Sequence, residues 1–138
     1  MSTLLSELEK HMLEAVADLH DIPAGAYNIR RNGEGAARQS TEHIQINPKT
    51  DKPGIDIIVA PGTKNESIHI PVIITEAGVE DLVYNDFVIG DDCDVLIVAG
   101  CGIHNDGGEK SQHNGIHSFQ IGKNCRIKYV EKHYGEGK

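Results

Sequence analysis

The sequence predicts a mainly β protein of stacked strand–turn–strand coils, a parallel β-helix, with an amphipathic helix at its N-terminus. Three observations carry this expectation. One phrase occurs twice, as Asp86–Val98 and Ser118–Val130, and more loosely a third time from Ala60 to Ile70. Gly62, Gly90 and Gly122 thereby fall about thirty residues apart, a period that belongs to solenoids. Each copy holds short apolar runs of β-branched and aromatic residues bounded by Gly, Asn and Asp, which is strand composition. Cys93 and Cys125 stand at matched positions, as expected of a small apolar side chain facing inward in successive coils. A unit of this kind cannot bury its own apolar face, so copies must stack. The competing arrangement is a pair of antiparallel hairpins, in which the repeat is an echo without structural meaning.

Taken in order, Ser2 or Thr3 can cap a first helix, with Glu7 and Glu9 near its positive end. Leu4, Leu5, Leu8, Met12, Leu13, Ala15, Val16 and Leu19 recur at helical spacing and make one apolar stripe. The helix ends near His20, because Pro23 disfavours helix just before it. Residues 1–22 therefore read as a helix capping the open end of the solenoid, or docking a partner, and residues 23–138 as the β domain. His11 and His20 read as solvated positions on the helix face.

Beyond the helix, Tyr27–Arg30 reads as a short edge strand and Arg31-Asn32-Gly33-Glu34 as a tight turn. Arg30, Arg31 and Arg38 form a basic cluster that either holds an anion or pairs with the many carboxylates of the chain. Gly33-Glu34-Gly35 lacks the spacing of a nucleotide fingerprint. Strands follow at His43–Ile46, Ile55–Val59 and Ile68–Thr75, with Pro71 suggesting an edge or a corner. Thr75-Glu76-Ala77-Gly78 then turns the chain into the repeats.

The chain has 138 residues and a net charge of −8, so it reads as one domain that repels phosphate. Nucleic acid and anionic membrane are not expected partners. Trp is absent and aromatics are few, which suits a narrow aliphatic interior. The three cysteines are odd in number, and no secretory or membrane-spanning run is present, so free thiols and a cytoplasmic location are expected.

The densest set of ligand-type residues lies between the two best repeats: Cys101, His104, His113 and His117, spaced C-x2-H, eight residues, then H-x3-H. Thiolate and imidazole together suit zinc or ferrous iron, although the spacing is not that of a zinc finger. The bland alternative is a surface excursion of solvated histidines. Glu131 and His133 are further candidates on a neighbouring coil. A Cys101–His pair as nucleophile and base lacks an elbow or an oxyanion loop around it, so no enzyme is expected. A cupin-type metalloenzyme lacks its usual H-x-H pair and later Glu.

Ile70–Ile73, Val83–Phe87, Ala99–Asn105, His113–His117 and Lys128–Gly137 together resemble the SufBD family of iron–sulfur cluster assembly proteins, in its compact anaerobe and archaeal form. The resemblance implies a right-handed parallel β-helix and a non-enzymatic scaffold that builds clusters with an ABC-type ATPase. Cys101 looks like the family's sulfur-accepting cysteine, and His113 matches a histidine shortly downstream of it. His104 and His117 belong to the compact members' motifs, and their role as iron ligands is read from their chemistry. Family members continue past Glu136 with further coils and a helical segment that docks the ATPase, so the chain reads as C-terminally shortened. An edge left open there invites a homodimer or a full-length scaffold. The alternative function is a metal-free assembly module that pairs through this edge.

Overall fold

The computed structural model describes residues 25–76, 78–104 and 111–136, with side chains as far as His133. The expected N-terminal helix and the Gly-rich tip at 105–110 lie outside the described residues. Among the described residues the protein is mainly β, without helix. Its strands are β1 (Ala26–Arg31), β2 (Glu34–Gln39), β3 (Ile44–Pro48), β4 (Gly54–Val59), β5 (Lys64–Ile74), β6 (Glu80–Ile89), β7 (Asp94–His104), β8 (Gln112–Ile121) and β9 (Arg126–Glu136). They form two mixed sheets, ordered β2-β1-β5-β7-β9 and β3-β4-β6-β8.

From β4 onward the chain changes sheet at every strand; β5 pairs in parallel with β1, and from β6 each strand pairs in parallel with the strand two before it. The first strands differ, since β1–β2 and β3–β4 are antiparallel hairpins. The β1–β2 turn is the expected Asn32-Gly33, with positive φ at both residues (49° and 83°), the geometry that matches the twist of a two-residue hairpin. β1 is not an edge strand, because β2 covers one side of it and β5 the other. Nor is Pro71 at an edge. It lies within β5 beside the bulge at Ile29/Arg30, where the β1–β5 ladder skips two pairs and no amide hydrogen is needed.

The repeated turns superimpose coil on coil. Gly90 and Gly122 donate to Val59 and Ile89 one coil back, while Gly62 and Asp92 donate to Asp91 and Lys123 one coil ahead. Gly62, Asp92 and Asn124 share the left-handed position, with φ of 81°, 59° and 56°. The third copy of the repeat therefore aligns Ala60, not Gly62, with Gly90 and Gly122. A side chain at Gly90 would place its Cβ 2.7 Å from the Pro61 ring, because the coils approach too closely there.

The core lies between the sheets, in columns that run across the coils. Ala26, Ile68, Ile97 and Tyr129 make one column, and Ile57, Phe87 and Phe119 another. Phe87 and Phe119 stack with centroids 4.7 Å apart and planes 8° from parallel. Cys93 is buried in this core with its thiol donating to the Ala60 carbonyl at 3.2 Å, and Cys125 repeats the bond to Gly90 at 3.1 Å. Burial falls off at the last coil. Phe87 is 1% exposed and Phe119 42%; Ile89 is 2% exposed and Ile121 48%. Cys125 accordingly packs against the core only half-buried.

Candidate functional site

Strand periodicity decides which ligand-type residues meet. In a strand, residues four apart share a face and residues three apart do not. His113 and His117 therefore both face inward on β8. Cys101 faces inward on β7, in line with Ile97 and Ala99, while His104 falls on the opposite face and does not line the cavity described below. The expected ligands are thus borne by strands, with His104 set apart, and not gathered in a projecting loop.

Cys101, His113, His117, Glu131 and His133 line one cavity of about 470 Å³ between the sheets, with Asn85 beside them. Cross-coil register builds its walls. Arg30, Val72, Cys101 and His133 are successive members of one column in the first sheet. Asp81–His113, Val83–Gly115 and Asn85–His117 are neighbours in the second. Paired strands stand about 4.8 Å apart, so residues some thirty positions apart become neighbours. Gly115 keeps the centre open. A Cβ there would lie 2.9 Å from Nε2 of His117 and 3.5 Å from Nε2 of His113, so both imidazoles face the same small space.

Behind His113 stands a charged group that sequence reasoning passed over. Asp81 is buried on β6; its carboxylate accepts two bonds from Arg30 Nε (3.1 and 2.9 Å) and one from Nη2 at 2.8 Å. Its Oδ2 also lies 3.0 Å from Nδ1 of His113. A carboxylate on one ring nitrogen fixes the ring and turns the other toward the site, the arrangement that orients metal-binding histidines. The signal was present in the sequence: Asp81 and Asn85 interrupt the inward alternation of β6, where Val83, Phe87 and Ile89 are apolar.

Burial would raise the Asp81 carboxyl, but Arg30 and then His113 hold it below the ordinary value. Burial, with the negative charges of Asp81 and Glu131, pushes the Cys101 thiol up to about 11. Burial pushes His117 down, so its ring is neutral near pH 7, and its buried Nδ1 makes no hydrogen bond among the described residues. Glu131 accepts from Tyr129 Oη at 2.9 Å and lies 3.0 Å from His133 Nε2.

The donor set and the space above Gly115 fit a soft or borderline cation in chemistry and in room. As placed, no three His, Cys, Asp or Glu side chains among the described residues stand close enough to enclose one. Burial first, and then the charges of Asp81 and Glu131, keep the thiol protonated; those carboxylates favour a cation, and a bound cation would displace the proton.

Comparison of the chain with protein-family models, with curated proteins and with solved structures finds no match. Among the described residues, no helix is long and apolar enough to cross a membrane.

Proposed function

We propose that this chain is a non-enzymatic scaffold or accessory protein of iron–sulfur cluster assembly, built as a right-handed parallel β-helix and acting in the cytoplasm. The observation that carries this reading is the convergence of Cys101, His113 and His117 on one cavity, with His113 held by a buried carboxylate. The sequence resemblance to the SufBD family points the same way.

Iron and sulfide are the cargo. Cys101 is the sulfur acceptor and anionic ligand, and the Nε2 atoms of His113 and His117 are the nitrogen donors. His133 and Glu131 supply further donors from the last coil. With two protein donors at a time in reach, water, sulfide or a second copy of the chain completes the coordination. An ABC-type ATPase is the proposed energy source for the assembly.

Anaerobic reconstitution with ferrous iron and sulfide tests the proposal. Wild type should take up iron, and Cys101→Ser should lose most of it. Equal and negligible uptake by both would end the metal reading.

A second reading, a metal-free module that pairs with a scaffold or with its own copy, is favoured by the uncovered apolar side chains of the last coil, Phe119 and Ile121. It predicts pairing that survives both Cys101→Ser and His113→Ala.

A further inference from the structure

A second cavity, of about 240 Å³, adjoins the first on the side of β2 and β4. Its charged walls are Arg30, Arg38, Lys49 and Lys52, and no carboxylate lines it among the described residues. This is unexpected in a chain of net charge −8, where acids outnumber bases. Two of the four cations are already matched. Arg30 is spent on Asp81, and the largely buried Lys49 ammonium contacts Asp56 and Asp86, the latter at 2.7 Å.

Arg38 and Lys52 are held by other means. Arg38 Nε donates to the Asn28 side-chain oxygen at 3.0 Å, and its guanidinium lies against Gly35. The Lys52 ammonium sits over the Tyr84 ring, 4.6 Å from its centroid. Neither is seated on a carboxylate among the described residues, although Lys52 helps to hold the Asp86 carboxyl low from a distance. Their positive charge is thus positioned but not neutralised at the mouth. At the floor, Asn85 is only 8% exposed, and its amide lines the cavity.

We propose that this cavity binds a small oxyanion, a carboxylate or a phosphate, with Arg38 and Lys52 as its charge partners and the Asn85 amide below. The volume sets the size class. Sites for drug-sized ligands begin near 300 Å³, so a nucleotide is too large and an inorganic anion or short carboxylic acid fits. The planar guanidinium of Arg38 matches either head group with two parallel bonds. Ile55, Ile70 and Val72 would take a short apolar tail. The cavity shares Ile70, Val72 and Asn85 with the one at Cys101, but Arg38 and Lys52 line this one alone.

The test is a nuclear magnetic resonance titration of the full chain with inorganic phosphate and, separately, with butyrate, each against sodium chloride at matched ionic strength. Saturable shifts of the Asn28 and Asn85 side-chain amides are expected with at least one of the two anions. Binding should weaken at least tenfold in Arg38→Gln and in Lys52→Gln, while Arg38→Lys retains part of it. Iron uptake should be unchanged in all three variants. Shifts no larger than those from chloride, or equal binding by the Arg38→Gln/Lys52→Gln double variant, would overturn the assignment.

Discussion

Asp81 shows how much one inward acid can organise. Asp81→Asn would keep the size of the side chain but leave the Arg30 guanidinium without a counter-charge, 16% exposed at the side chain. Breaking such a pair from one side costs roughly 3 kcal/mol, which urea denaturation would read as a lowered midpoint. Because its folded pKa is lowered, Asp81 contributes its full stability above the unfolded carboxyl value. That contribution is lost as pH falls through the lower, folded value. His117 acts in the same sense at milder acidity: its lowered pKa favours the native state above about pH 6.5 and withdraws that help below it. Denaturation midpoints should therefore drop below pH 6.5 in wild type and drop less in His117→Phe. Cys101 gives a kinetic prediction. With its pKa near 11, only about one thiol in a thousand is ionised at pH 8, so iodoacetamide should label it far more slowly than a free cysteine. Site-resolved mass spectrometry would show the rate climbing about tenfold per pH unit. Cys101, His104, His113 and His117 could be picked out of the sequence as a cluster of thiol and imidazole, but not which of them share a cavity. His104 stands apart from the cavity because three residues along a strand reverse the face. Asp81 left a signal in the broken alternation of β6, but its partners Arg30 and His113, like the role of Gly115, exist only across strands.

At the scale of the element, the coil turn is the most constrained unit. Gly90→Val should destabilise the protein by several kcal/mol, because the branched side chain would run into Pro61 on the coil beneath. Gly115→Ala is a different experiment, since its Cβ meets the imidazoles of His113 and His117 and not the backbone of another coil. It should leave the thermal midpoint within a few degrees of wild type and still reduce iron uptake. A variant that binds iron normally would show that the space above Gly115 is not used. The repeated turns were legible because Gly, Asp and Asn mark left-handed positions, and the Asn32-Gly33 hairpin was legible for the same reason. β2 was not, because Glu34-Gly35-Ala36-Ala37-Arg38-Gln39 has neither β-branched residues nor alternation and is a strand only by pairing with β1. Pro71 misled for the converse reason: the bulge that accommodates it belongs to a strand some forty residues earlier.

The two ends of the whole molecule differ. At the first end the chain folds back on itself. β2 has Glu34 and Arg38 exposed, and β3 is five residues long and finishes at Pro48, features that discourage edge pairing. At the last end no described residue covers β8 and β9, and Phe119 and Ile121 stand half in solvent. Phe119→Asp with Ile121→Asp should abolish self-association in sedimentation velocity while preserving the β signature in circular dichroism. An unchanged association constant would place any interface elsewhere. The mainly β character could be foreseen from the repeat, but this asymmetry could not, since the antiparallel hairpins β1–β2 and β3–β4 leave no periodic trace.

That asymmetry fixes the arithmetic of assembly. Were two copies to meet through the apolar edge of the described residues, both such surfaces would be consumed and growth would halt. Raising the concentration should populate pairs and nothing larger, a plateau that distinguishes this architecture from a fibre former.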